Sequence, residues 1–203
     1  MQDFDEKFRG YLLPDISIIR YGIIYGKNTI VFIKGGQDCS LYGYQNKYLK
    51  MAHNIHDKYG YTVIVSSNPF NGENPLDNAM KVVHKVVEKC HFKDYQIYYM
   101  GLSNGAIVGA WYGVNYSKIK RMLLINPPLD VYWDITKEGI EKFQGERMNI
   151  VFGNKDPSYS YTPLIKEIKN EKVHLHIIEG EDHCFSTDAY DFQRLPMEFL
   201  LND

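Results

Sequence analysis

The chain has 203 residues, a length that suits one domain able to bury roughly 70% of the surface of its unfolded chain. Its 23 lysines and arginines nearly balance its 25 aspartates and glutamates, and the net charge of -2 gives no reason to expect nucleic acid or a membrane as a partner. The first residues are polar and acidic, unlike a signal peptide, and no apolar run approaches the roughly 18 residues of a membrane span. We therefore expect a single domain over residues 1–203, located in the cytoplasm.

Two strands are predicted at Ile16–Ile24 and Thr29–Ile33, with the turn Tyr25–Asn28 between them. We expect them to form a hairpin at one edge of a sheet. The overlapping segment Gly22–Asn28 resembles a phosphate-binding loop, but it is one residue short and ends in Asn where a Ser or Thr would bind magnesium. The sequence therefore favours a strand connection over a nucleotide site here.

A polar loop with two adjacent glycines, Lys34–Ser40, follows the second strand, and such glycines let backbone N–H groups approach a ligand closely. Further strands are predicted at 62–65, 96–100, 122–125, 149–152 and 173–178. Helices are predicted at 44–59, from Pro75 onward, near 136–143, around 162–169 and over 187–201, the last kinked at Pro196. This alternation predicts an α/β fold with a mostly parallel central sheet, helices on both faces and ligands beyond the carboxyl ends of the strands.

The segment Met100–Ala106 joins a predicted buried strand to a predicted helix and carries the pattern Gly-x-Ser-x-Gly. Such a turn forces its serine, Ser103, into a strained conformation. Side chains two residues to either side would collide unless they are hydrogens, and both positions hold glycine. Downstream, glycines recur at Gly105, Gly109 and Gly113, each at a cost of roughly 1 kcal/mol relative to alanine in a helix. This spacing predicts a close contact between helix and sheet.

Three reactive side chains follow predicted strands in the order Ser103, Asp156, His183. If the strands are parallel, all three point into one crevice. A serine hydroxyl is a poor nucleophile until an imidazole takes its proton, and the imidazole needs a carboxylate on its other nitrogen. The order Ser, acid, His is one of the known chain orders for this arrangement. Asp130 and Asp134 could supply the carboxylate instead of Asp156.

The attack of a serine also creates an oxyanion, which fixed N–H donors must meet. The backbone N–H of Asn104, at the start of the helix, is the first candidate. The second is expected from the glycine loop, from Gly36 in preference to Gln37. Asp182 is too close in sequence to His183 to turn onto its ring.

These motifs together resemble the α/β-hydrolase superfamily of serine esterases, lipases and peptidases. The matching segments are Lys34–Gly36, Gly101–Gly105, Gly153–Asp156 and Gly180–His183, and the resemblance covers the chain from about residue 16 to its end. Lys34 stands where many members have His. The stretch between Ile125 and Met148 leaves no room for a helical lid, so no inserted cap is expected, and the early first strands suggest a trimmed sheet with fewer strands.

The resemblance implies that Ser103 is the nucleophile, His183 the base and Asp156 the acid. It also implies that the N–H groups of Asn104 and Gly36 form the oxyanion hole.

Four other histidines need a separate interpretation. His53 and His56 lie three apart on a predicted helix, a spacing that can bind metal, but without a third ligand a surface helix is favoured. His174 and His176 alternate on a strand and so share one face, which favours packing or solvation over catalysis.

The three cysteines of the chain are odd in number and fit no zinc spacing, which favours reduced thiols. Cys39 and Cys184 lie in loops expected to border the crevice, and one hypothesis is that they approach each other. Eight aromatic residues in or beside such loops could form an apolar wall for an acyl or aryl group, or could simply cover the core: Tyr42, Tyr44, Phe70, Tyr132, Trp133, Tyr159, Tyr161 and Phe185.

The leading hypothesis is a cytoplasmic serine hydrolase, without metal or cofactor, that cleaves a small carboxylic ester or thioester through an acyl-enzyme. A peptidase or an acyltransferase of the same fold stays open, as does a catalytically silent protein that holds a small ligand in the crevice. The expected partner is a small acyl substrate, and the sequence predicts no oligomeric state.

Overall fold

One eight-stranded sheet runs through the molecule, and the computed structural model describes residues 2–11, 18–36, 39–68 and 75–202. The strands are β1 (Glu6–Tyr11), β2 (Ile18–Ile24), β3 (Lys27–Lys34), β4 (Tyr61–Ser66), β5 (Gln96–Leu102), β6 (Ile119–Ile125), β7 (Arg147–Gly153) and β8 (Val173–Ile178). The helices are α1 (Lys47–Tyr59), α2 (Pro75–Lys89), α3 (Asn104–Tyr112), α4 (Leu129–Lys142), α5 (Thr162–Lys166) and α6 (Leu195–Phe199).

The strand order across the sheet is β1-β2-β4-β3-β5-β6-β7-β8. From β4 to β8 all neighbours are parallel, whereas β2 is antiparallel to both β1 and β4. The central strands are buried on both faces, as their continuous apolar sequences predict. The carboxyl ends of β3, β5, β6, β7 and β8 therefore meet at one edge of the sheet, where a ligand of such a fold is expected.

The predicted hairpin at the start of the chain is wrong. β4 lies between β2 and β3, so these two strands do not pair. Their connection is held by other partners: the N–H of Gly26 donates to Thr62 Oγ1 at 3.0 Å, and the N–H of Lys27 donates to the Gly60 carbonyl at 2.7 Å. The apolar sequences of both strands predict that they lie in a sheet, but they do not determine which strands pair with each other.

The sheet is also larger than expected from the sequence. β1 adds an edge strand that the polar start of the chain forms. Its charged residues interrupt the apolar ones, as an edge strand partly exposed to water allows, so it lacks the continuous apolar run that predicts the central strands. The expectation of a trimmed sheet with fewer strands is therefore wrong. Ile16 and Ser17, predicted to begin the second strand, lie outside the described residues.

The end of the chain is less helical than predicted. Only α6 forms an α-helix in the range 187–201, and Pro196 lies in its first turn, where a missing N–H costs nothing, so it causes no kink. The preceding loop is held instead by the buried Glu181, whose carboxylate accepts the Tyr190 N–H at 2.7 Å.

Helices cover both faces of the sheet. Apolar residues of α2, α3 and α4 pack on one face, and those of α1 and α6 pack on the other. The glycine spacing of α3 has the predicted cause, because a Cβ on Gly109 would lie 2.4 Å from Cε1 of Tyr99 in β5. Within the described ranges, no helix has the length and apolar character needed to cross a bilayer.

Candidate active site

Ser103 occupies a sharp turn between β5 and α3. Its backbone has φ 55 and ψ -121, a conformation that residues other than glycine rarely adopt. Its N–H donates to the Ile125 carbonyl at 2.8 Å. A Cβ on Gly101 would lie 2.3 Å from the Gly105 carbonyl oxygen, and a Cβ on Gly105 would lie 2.3 Å from the Lys34 carbonyl oxygen. Both glycines are therefore required for the backbone to close this turn beside β3.

Ser103, His183 and Asp156 form a continuous chain of hydrogen bonds, as predicted from their order. His183 Nε2 lies 2.8 Å from Ser103 Oγ, and His183 Nδ1 lies 2.5 Å from Asp156 Oδ2. The Asp156 side chain is 1% exposed and the His183 side chain 38%, so the carboxylate is shielded while the imidazole is open to solvent. Asp156 Oδ1 also accepts the Ser158 N–H at 2.7 Å, which fixes the carboxylate plane at the start of the 3-10 helix Pro157–Tyr161.

The surroundings of His183 favour its protonated form. Its hydrogen bond to Asp156 raises the pKa of the imidazole above its usual value, and partial burial opposes this effect. The charges of Asp156, Asp182 and Asp130 raise it further. An imidazole in this position can accept the serine proton because the cation that results is stabilised by the carboxylate behind it.

The other candidate carboxylates have different partners. Asp130 Oδ1 accepts the Ser158 hydroxyl at 2.9 Å, so it supports the turn that holds Asp156 and does not take its place. Asp182 accepts the N–H groups of Cys184 and Ser186, each at 3.0 Å. Asp134 lies farther along α4, on the wall of a surface cavity.

Both residues predicted to supply the N–H donors, Asn104 and Gly36, lie next to Ser103. Asn104 begins α3, and Gly36 follows β3 at a position where a Cβ would lie 3.4 Å from Ser103 Cβ and 3.8 Å from Ser103 Oγ. The Gly36 N–H also lies near the Tyr48 hydroxyl. Burial raises the pKa of this hydroxyl well above its usual value, and the hydrogen bond from the Gly36 N–H lowers it in part. Gln37 lies outside the described residues.

Asn68, which the sequence did not single out, ties these two segments together. Its Nδ2 donates to the Gly35 carbonyl at 3.0 Å and to Asn104 Oδ1 at 3.1 Å, and the residue is buried. One amide thus links the glycine loop to the first residue of α3. Nothing in its local sequence indicates this, because its two partners lie 33 and 36 residues away in the sequence.

Lys34 carries a buried amine beside the turn. It is 1% exposed, and its Nζ donates to Ser66 Oγ and the Ser67 carbonyl, each at 3.3 Å. Burial lowers the pKa of this amine from 10.5 to about 7. Lys34 is therefore a source of instability near neutral pH.

Replacing Lys34 with methionine is expected to raise the free energy of unfolding at pH 7, on the order of 2–4 kcal/mol after the lost hydrogen bonds are allowed for. The Ser66 hydroxyl already donates to the Ser67 carbonyl at 2.6 Å, so no buried group loses its only partner. The pKa of the Lys34 amine is lower in the folded state than in the unfolded chain. Between about pH 7 and 10.5 the unfolded chain therefore binds one more proton than the folded protein, and the free energy of unfolding rises with pH in this range. Urea unfolding across this range measures both effects; an unchanged slope in Lys34→Met would contradict the prediction.

A cavity of about 380 Å³ lies at the start of α4, close to the turn that holds Asp156. Five of its lining residues were predicted to lie near the crevice or to compete for the acid role: Asp130, Tyr132, Trp133, Asp134 and Tyr161. Of the other predicted aromatic residues, Phe185 is buried in the core, Tyr44 is exposed, and Phe70 lies outside the described residues.

Three of the other histidines contact protein groups. His53 Nε2 lies 2.8 Å from the Gln2 carbonyl, and His56 Nδ1 lies 3.1 Å from the Tyr61 carbonyl. His176 packs on Phe199 and pairs with an asparagine of β7.

The thiols of Cys39 and Cys184 are free. Burial lowers the pKa of Lys47, while both thiols act in the opposite direction, so both lie near this lysine. Their direct approach to each other stays a prediction.

The sequence matches no protein-family model and no curated protein sequence. Solved structures, in contrast, are similar over nearly the whole chain. An α/β serine hydrolase homologue from Coxiella burnetii is 17% identical, with 98% of each chain covered and a TM-score of 0.68. A lidless α/β serine hydrolase from Xanthomonas campestris is 17% identical, with 98% of this chain and 97% of that chain covered and a TM-score of 0.65.

A dienelactone hydrolase from Anabaena variabilis is 12% identical, with 96% of this chain and 98% of that chain covered and a TM-score of 0.65. In the protein described here, the segment between β6 and β7 contains only the helix α4, so no cap is inserted there. The strand order, the turn at Ser103 and these likenesses together establish that the chain has the α/β-hydrolase fold in its small, lidless form.

Proposed function

We propose that this protein is a serine hydrolase that cleaves a small carboxylic ester or thioester through an acyl-enzyme. The observation that carries the proposal is the chain of hydrogen bonds from Ser103 through His183 to Asp156, at 2.8 and 2.5 Å. These contacts allow the base to take the proton of the nucleophile, and they join the base by a hydrogen bond to the carboxylate that orients it.

In the proposed mechanism His183 Nε2 takes the proton of Ser103 as Oγ attacks the acyl carbon. The imidazolium is stabilised by Asp156 and then gives its proton to the leaving alcohol or thiol. A water molecule, activated by His183 in the same way, hydrolyses the acyl-enzyme. The N–H groups of Asn104 and Gly36 are proposed to bind the oxyanion, where loss of one such donor typically costs about 3–4 kcal/mol of transition-state stabilisation.

The proposed acyl group is small because the cavity beside α4 has a volume of only about 380 Å³. The cavity beside α4 is the proposed site for an acyl or aryl group, since Tyr132, Trp133 and Tyr161 offer it apolar surface. In support of this proposal, Asp130 on the rim of the cavity is linked to Asp156 through Ser158.

Folded protein is expected to react with a fluorophosphonate probe at Ser103, because this reagent needs a serine activated by a base. Ser103→Ala should lose the label completely, while Ser160→Ala, which removes an exposed serine near the site, should keep it. Intact-mass spectrometry measures the labelled fraction. Unlabelled wild-type protein, or equal labelling of Ser103→Ala, would overturn the proposal.

A further inference from the structure

Asn126 follows β6 directly, and its side-chain amide joins the two loops that carry His183 and Asp156. The residue is fully buried. Its Nδ2 donates to the carbonyls of Asp182 and His183, at 3.1 and 2.9 Å, and its Oδ1 accepts the Gly153 N–H at 2.9 Å. These partners fix the amide orientation, because the opposite one would face two carbonyls with an oxygen and an N–H with an NH₂ group.

The backbone of Asn126 is engaged as well. It has φ 45, in the left-handed region that asparagine tolerates better than most residues, and its N–H donates to the Val151 carbonyl at 2.9 Å. The preceding carbonyl, of Ile125, accepts the N–H of Ser103. The turn after β6 therefore touches all three segments that carry Ser103, Asp156 and His183.

We propose that Asn126 is a positioning residue that sets the distance of the His183 ring from both Asp156 and Ser103. The inference rests on the proposed function. The backbone of His183 is held through its own carbonyl, and Gly153 lies three residues before Asp156, so one rigid amide spans base and acid. Because Asn126 touches none of the reacting atoms, its effect on the reaction passes through His183. A misplacement of about 1 Å in such a site can cost roughly 100-fold in rate.

Asn126→Asp tests this directly, because it keeps the acceptor for Gly153 and removes the two N–H donors to the carbonyls of Asp182 and His183, the segment that we call the base loop. We expect kcat for p-nitrophenyl acetate to fall about 100-fold, with KM changed less than about 3-fold. The rate of fluorophosphonate labelling should fall in parallel. Asn126→Gly, which keeps the left-handed backbone without strain, should show the same pattern and carries the test if the aspartate variant does not fold.

Asn149 in β7 provides a matched control. It is also a buried amide: its Nδ2 donates to the Phe199 carbonyl, and its Oδ1 lies 2.9 Å from His176 Nε2. It joins the sheet to the end of the chain and does not touch the base loop. Asn149→Asp should therefore lower the unfolding temperature and leave kcat near the wild-type value.

A spectroscopic measurement separates the two proposals. The proton between His183 Nδ1 and Asp156 should give a far-downfield NMR resonance, which Asn126→Asp and Asn126→Gly should shift or abolish and Asn149→Asp should keep. If wild-type protein does not label but this resonance depends on Asn126, the proposed function fails and the positioning role stands. If wild-type protein labels but the Asn126 variants match Asn149→Asp, or if neither Asn126 variant folds, the positioning role is overturned.

Discussion

Replacement of Asp156 by asparagine is expected to lower kcat for an ester about 10⁴-fold with little loss of stability. The amide has the same shape and can still accept the Ser158 N–H, but it offers no negative charge to His183 and favours the wrong imidazole tautomer. The pKa of His183 should also fall, since the hydrogen bond to Asp156 is the main cause of its rise. Steady-state kinetics with thermal unfolding measures both effects.

Asp130→Asn is the control for this prediction. Asp130 interacts with the same turn through the Ser158 hydroxyl and adds to the charge around His183, but it does not hydrogen bond to the imidazole. Its replacement should change kcat by less than about 10-fold. A larger loss in Asp130→Asn than in Asp156→Asn would move the acid role to Asp130.

Gly105→Ala is expected to damage both the turn and the fold. The new methyl group would lie 2.3 Å from the Lys34 carbonyl oxygen and 2.5 Å from the Gly35 carbonyl oxygen. Because both are backbone atoms, α3 or the glycine loop must shift. We expect a loss of about 2–3 kcal/mol in the free energy of unfolding and roughly 100-fold in kcat, as measured by urea unfolding and ester turnover.

Gly113→Ala serves as its control, since the glycine follows α3 and the added methyl group would meet Cε of Met122 at 2.8 Å. That atom ends a flexible side chain that can move aside. Gly113→Ala should therefore retain activity and most of its stability. Equal losses in both variants would show that the helix, and not the turn beside Lys34, responds to the added methyl group.

The sequence predicts the parallel core because each central strand is a continuous apolar run that ends in a polar loop. The turn at Ser103 is predictable in part for a local reason, since Gly101 is required by the carbonyl of Gly105, four residues farther along the chain. The order of β2, β4 and β3 in the sheet is not predictable from the sequence, because strand pairing depends on partners far along the chain. Asn68 and Asn126 were missed for the same reason: each amide binds groups from two segments that are far apart in the sequence, and neither leaves a local pattern.

The parallel arrangement has a consequence for how this protein acquires its activity. Ser103 and His183 are 80 residues apart in the sequence. Every strand pair from β3 onward joins segments separated by a long loop, so the entropy cost of closing the loop comes before the contacts that stabilise the pair. β8 at the outer edge delivers the imidazole, so no fragment that lacks the last strand can contain a working centre. Turnover should therefore return with the slowest step of refolding, after bulk secondary structure has formed.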